Sequence, residues 1–264
     1  MEGNGTTNGN GTNGNVNRVE LVTWQRKPSN MAESFRAVLT SILFSGQNGD
    51  RPHVLMLTSG SPREGKTTVA TNLGIALAEI GRRVLLIDGD MRKPRLHEIF
   101  DLPNERGLSN ILQEGKLSDE ELKGTVRETT VPGLSVLPSG PATSSAANLL
   151  HSEIMEDLLE RLEKDFDMIL IDTPPMLQMP DARVVGRLAD GVILVVRAAH
   201  TTRDAALAMR QRFADDRTEV LGVILNDWNP RSSPNGYYGY YNNGYYYKSH
   251  YYRPEKEDDK ALKG

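Results

Sequence analysis

The segment Gly60-Ser61-Pro62-Arg63-Glu64-Gly65-Lys66-Thr67 limits what this chain can fold into more than any other stretch of it. It follows an apolar run, VLMLTS at 54–59, and opens TTVATNLGIALAEI at 67–80, which has helical periodicity and ends at Gly81. A G-x-x-x-x-G-K-[ST] pattern between a strand and a helix reads as a phosphate loop. Its glycines let the backbone curl so that successive N–H groups face a phosphate, and the helix N-terminus adds positive potential. Lys66 is expected to reach the β- and γ-phosphates of a nucleotide and Thr67 to place its hydroxyl on Mg²⁺. Gly60, Ser61, Arg63, Glu64, Gly65 and Thr68 complete the expected cradle.

The alternation of strand and helix continues. RVLLID (83–88), LSVLP (134–138), MILID (168–172), VILVV (192–196) and VLGVIL (220–225) read as strands, and MEDLLERLEK (155–164) and RDAALAMRQRF (203–213) as helices. Short apolar runs separated by helices imply an α/β fold, a mainly parallel sheet with helices on both faces. Such a sheet presents its ligand at the carboxyl ends of its strands. An earlier helix is expected with Asn30 as N-cap and Glu33 as capping-box partner. Its buried face would carry Met31, Phe35, Val38, Leu39 and Ile42. The charged stretch from about Arg92 to Thr130 is expected to hold short helices.

Three regions follow from composition. Of residues 1 to 17, all but Met1, Glu2 and Val16 are Gly, Asn or Thr, so residues 1–28 are expected to be a flexible leader. Residues 29–229 form the expected nucleotide-binding domain and 230–264 a flexible tail. With 38% hydrophobic and 25% charged residues, the chain has enough apolar material for one such domain. A net charge of -4 argues against a general nucleic-acid binder. There are no cysteines, so disulfides and thiolate metal sites are excluded. No apolar run approaches the ~18 residues of a membrane helix, and the first residues lack the pattern of a secretory signal. The Asn4-Gly5-Thr6 and Asn10-Gly11-Thr12 triplets are then chance matches to a glycosylation site, and a cytoplasmic protein is expected.

Acidic residues stand at two predicted strand ends. Asp88 and Asp90 follow RVLLI as Asp-Gly-Asp, and Asp172 closes MILID before Thr173-Pro174-Pro175. A carboxylate there, beside a phosphate loop, holds Mg²⁺ through water or accepts a proton from a nucleophile.

The tyrosines are placed unlike those of an ordinary fold. All nine lie in the tail, at Tyr237, Tyr238, Tyr240, Tyr241, Tyr245, Tyr246, Tyr247, Tyr251 and Tyr252. They are interleaved with Gly, Asn, Lys, Ser and His, which build no core. Composition alone reads this run as a sticky low-complexity tail.

Together the motifs resemble those of the bacterial tyrosine kinases of capsule and exopolysaccharide synthesis, a phosphate-loop NTPase family related to partition-type ATPases. The likeness runs from about Glu33 to Asn226 through TSGSPREGKTT (58–68), VLLIDGDMRKPRLH (84–97), GLSNIL (107–112), LPSGP (137–141), LLERLEKDFDMILIDTPP (158–175), PDARVV (180–185), ADGVILVVR (189–197) and GVILN (222–226). Partition-type ATPases carry an extra lysine early in the loop, and this chain has none between Thr58 and Gly65.

The resemblance implies ATP and Mg²⁺ as cofactors. It makes Lys66, Asp88, Asp90 and Asp172 the catalytic set and Thr67, Asp88 and Asp172 the metal residues. Asp88 would orient or deprotonate the attacking phenol, and Asp90 would support the metal or the incoming tyrosine. Arg92 would meet a phosphate or a neighbouring acid. Asn226 would contact adenine or serve as a turn residue. The nine tyrosines become phosphoacceptors, phosphorylated in trans within a homo-oligomer. A membrane-embedded activator or chain-length regulator would recruit the chain to the inner face of the membrane, and a cognate phosphatase would reverse the reaction. Many members close a ring through E-x-x-R-x-x-R on the first helix, where this chain has Glu33, Arg36 and Leu39. A nucleotide switch without kinase activity and an ATP-binding scaffold are the alternative readings.

Overall fold

The computed structural model describes residues 18–26, 29–44, 52–115 and 118–229. Among them, seven strands form one sheet in the order β3-β4-β2-β5-β1-β6-β7. They are β1 Val54–Ser59, β2 Val84–Asp88, β3 Arg127–Glu128, β4 Leu134–Leu137, β5 Met168–Asp172, β6 Gly191–Arg197 and β7 Val220–Asn226. Every neighbouring pair is parallel except β3 with β4. The α/β architecture read from the sequence is therefore the fold. β1, β2 and β5 are buried at every position, which is why they read as unbroken apolar runs rather than alternating ones.

The helices are α1 Val22–Gln25, α2 Asn30–Leu43, α3 Lys66–Glu79, α4 Leu96–Ile99, α5 Leu108–Glu114, α6 Asp119–Thr125, α7 Ala146–Leu150, α8 Glu153–Asp165, α9 Asp181–Gly186 and α10 Arg203–Asp215. One core packs Met56, Ile87, Ile171 and Leu194 of the sheet with Leu158 and Leu162 of α8, Val185 of α9 and Phe213 of α10. The other packs Leu57, Leu86, Leu170 and Ile193 with Leu73 and Leu77 of α3 and with Phe35 and Leu39 of α2. Because α3 lies between the sheet and α2, it is buried on nearly every side from Val69 to Ala78.

Four local expectations are corrected. The N-cap of α2 is Ser29, whose hydroxyl accepts the Ala32 N–H at 3.1 Å, so Asn30 is its first residue. Glu33 pairs with Arg36 at 2.6 Å instead of closing a capping box, and Met31 is exposed. Residues 18–26, placed in the leader on composition, are ordered. Thr23 is fully buried and its N–H donates to the Asn72 side chain of α3 at 2.9 Å, while Arg18 donates to the Glu98 and Ile99 carbonyls at the end of α4. The packing signal was only four residues of α1 long, too short for periodicity to register. Residues 1–17 and 230–264, with all nine tyrosines, lie outside the described residues. No helix among the described residues is long and apolar enough to cross a membrane.

Candidate active site

The phosphate loop occupies the turn from β1 into α3. Gly65 caps α3 with φ +91, and Arg63 also lies in the left-handed region at φ +66. Glycine at 65 is required twice over: an L side chain is strained there, and its Cβ would stand 1.9 Å from the Asn226 amide nitrogen. That nitrogen donates to the Glu64 carbonyl at 3.0 Å, so the last residue of β7 holds the loop. Lys66, the first residue of α3, is buried. The Glu64 side chain is turned into the protein, where it accepts the Ser61 N–H at 2.9 Å and the Thr201 hydroxyl.

The two acidic strand ends meet beside this loop. Asp88 and Asp172 are register partners on β2 and β5. They come this close because Gly89 follows Asp88: its N–H donates to the Asp172 carbonyl at 2.8 Å, and a Cβ at 89 would lie 2.9 Å from that oxygen. Asp88 is 1% exposed, with one oxygen accepting the Arg95 and Leu96 N–H groups at 2.9 Å each and the other the Asp90 N–H at 3.3 Å. Burial, and next the charge of Asp172, pushes the Asp88 carboxyl up to about 7, against those backbone donors. Burial also raises Asp172, against the pull of Lys66 and of the Thr67 hydroxyl, which donates to its Oδ2 at 2.6 Å. Asp90 is half-buried, and its Oδ1 accepts the Lys93 N–H at 3.0 Å.

The donor set fits a hard divalent cation. Asp172 Oδ1 is buried with no hydrogen-bond partner among the described residues, and an orphaned carboxylate oxygen is costly unless something positive meets it. With Thr67 Oγ1 and the raised Asp88 close by, the pocket offers oxygen ligands of the kind Mg²⁺ takes. No group of three or more His, Cys, Asp or Glu forms a metal cage among the described residues. Mg²⁺ is commonly held without one, by one or two carboxylates together with substrate phosphates.

Arg92, open in the sequence between a phosphate and an acid, is committed to an acid. It forms a two-point ion pair with Asp181 at the start of α9, at 2.8 and 3.2 Å, and Asp181 is fully buried. Two residues were not singled out from sequence. Asp181 sat inside PDARVV as one acid among many, and Thr201 lies in a loop with no pattern. Only the fold brings Asp181 to Arg92, across 89 positions, and Thr201 to Glu64, across 137. The residues at the ring-motif positions make local contacts. Leu39 is 4% exposed in the core, and Arg36 is shared between Glu33 and Glu79, the latter at 2.9 Å.

A family model described as an AAA domain matches residues 63–211, from the phosphate loop into α10. The tyrosine-protein kinase YwqD of Bacillus subtilis is 36% identical over 210 residues, covering 80% of this chain and 86% of that one. The solved kinase domain of the Escherichia coli tyrosine kinase ETK superposes with a TM-score of 0.75 at 31% identity, covering 84% of each chain. The septum site-determining protein MinD of Pyrococcus horikoshii, solved with Mg-ADP, is 24% identical at a TM-score of 0.57 over 69% of this chain and 72% of that one. That last likeness carries the phosphate-loop NTPase fold alone. Sharing the fold at that level, and sequence and length with the kinases, the chain belongs to the bacterial tyrosine-protein kinases.

Proposed function

We propose that the chain is an ATP- and Mg²⁺-dependent autokinase that phosphorylates the tyrosine cluster Tyr237–Tyr252 of a second copy of itself. The observation that carries this reading is the pocket where Lys66, Thr67, Asp88 and Asp172 converge around one unpaired buried carboxylate oxygen. The chain also confines all its tyrosines to one 16-residue stretch beyond the domain.

Phosphoryl transfer needs in-line positioning and charge neutralisation more than covalent chemistry. The loop amides and Lys66 bind the phosphates, and Thr67 and Asp172 would hold Mg²⁺, which would supply neutralisation of phosphate charge. Asp88, fixed by three backbone donors, orients the attacking phenol and takes its proton. A phenol with a pKa of ~10 is a poor nucleophile at neutral pH, so a carboxylate close to its proton matters. Asp90 supports the incoming tyrosine from the rim. Tethering within an oligomer raises the local concentration of the tail, and each phosphate adds roughly -1.5 to -2 charges. Crowded phosphates then loosen the assembly, so that cycling through a cognate phosphatase regulates capsular or exopolysaccharide synthesis. A membrane-embedded activator recruits the kinase from the cytoplasm.

Transfer between copies has a direct test. Lys66→Ala protein is mixed with wild-type domain lacking residues 230–264, in ATP and Mg²⁺. Phosphotyrosine is expected on the Lys66→Ala chain; its absence, with the intact wild type still self-phosphorylating, would restrict the reaction to a chain's own tail.

A further inference from the structure

The phosphate loop holds one residue in a costly backbone conformation. Arg63 is a non-glycine residue at φ +66, a conformation costing on the order of 1 kcal/mol and held only where the surroundings over-determine it. Besides Asn226, two residues at the end of β6 and in the loop after it supply that restraint. The Arg197 side chain donates to the Arg63 carbonyl at 3.3 Å. The Thr201 hydroxyl donates to Glu64 Oε1 and accepts the Arg197 N–H at 2.8 Å. Glu64 passes this restraint on to the start of the loop, because its other oxygen takes the Ser61 N–H at 2.9 Å. Glu64 is 1% exposed and is in no ion pair among the described residues. Without Thr201, Glu64 Oε1 would be a buried acceptor with no donor.

We propose that Thr201 is a positioning residue for nucleotide binding: through Glu64 it locks the phosphate loop in its phosphate-receiving shape before the nucleotide arrives. Its turn is built for this contact, with Ala199 at φ +56 and the Thr201 N–H closing back on the Arg197 carbonyl at 2.9 Å. A loop set in advance binds at full affinity, whereas one in the right shape for only a fraction of the time binds more weakly by that fraction. Thr201 touches no phosphate in this scheme, so its loss acts on affinity rather than on the transfer step. The inference rests on the reading of the loop as a nucleotide site.

The test is titration of full-length protein with Mg-ADP, alongside steady-state kinetics in ATP. Thr201→Val is expected to weaken Mg-ADP binding and raise the KM for ATP about tenfold, the effect of one unpaired buried acceptor. The kcat should stay within about twofold and the nucleotide-free melting temperature should move by less than about 4 °C. Thr201→Ser, which keeps the hydroxyl, should restore wild-type affinity. If Thr201→Val does not fold, Thr201→Ala serves in its place, with the same expected pattern. Equal affinity in Thr201→Val and wild type, or equal weakening in Thr201→Ser, overturns the proposal while leaving the nucleotide site intact. Failure of the wild type to bind Mg-ADP overturns both.

Discussion

Replacing Asp172 with asparagine is expected to lower tyrosine phosphorylation by more than about a hundredfold, since losing even an outer partner of a metal ligand costs ten- to a hundredfold, while the nucleotide-free protein becomes more stable. The two effects share one cause. Asp172 and Asp88 sit at the same level on adjacent strands, both almost fully buried, and each would be better neutral in that setting. Asparagine keeps the size of the side chain and an oxygen for the Thr67 hydroxyl, which now donates to Asp172 Oδ2. It removes the Asp172 charge, which adds to burial in raising Asp88. Relief of about 1 kcal/mol would lift the melting temperature by about 2–4 °C in a domain of this size. A variant that merely misfolded would lose activity and stability together. Thermal unfolding beside the kinase assay separates the cases, and a lower melting temperature in Asp172→Asn would contradict the account of the site.

Arg92 presents the opposite sign. Asp181 is fully buried and its ion pair is with Arg92. Removing the arginine alone leaves an uncompensated buried charge, a loss of about 3–5 kcal/mol. Because the Arg92 side chain is 27% exposed, the lower end of that range is expected for Arg92→Met, read as a shift in the urea midpoint at unchanged slope. The double variant Arg92→Met with Asp181→Leu should recover most of the loss, because removing both charges also removes their desolvation cost. Arg92 follows Asp90 by two residues, so the pair fastens the loop after β2 to α9 and reports on how firmly that loop is held. If the single and double variants were equally unstable, the ion pair would not be the anchor described here.

Much of this was legible in the sequence because it depends on short-range pattern. The strands β1, β2, β5, β6 and β7 are apolar runs bounded by polar turns, and Lys66 and Thr67 occupy fixed offsets in an eight-residue motif. Asp88 and Asp172 could be placed because strand ends in a parallel sheet fall on one edge. Pairings between distant segments were not legible. Nothing in the spelling of Thr201 or Asp181 says that one meets Glu64 and the other Arg92. Glu64 itself was counted in the cradle as one residue among eight, while its side chain faces inward. Leu39, by contrast, was legible: helical spacing puts it on the buried face of α2 with Phe35, and both are buried there. The two-residue strand β3 and the short helices α7 and α9 carry too few residues for periodicity to show.

The central claim, that the Lys66 pocket places phosphate on the tyrosine tail, is tested most directly by mass spectrometry of peptides spanning residues 230–264. Purified wild-type protein and Lys66→Ala would each be incubated with ATP and Mg²⁺. The account predicts several phosphotyrosines between Tyr237 and Tyr252 in the wild type and none in Lys66→Ala. ATP turnover by the wild type with an unmodified tail would contradict it, and would point to a nucleotide switch on the same fold.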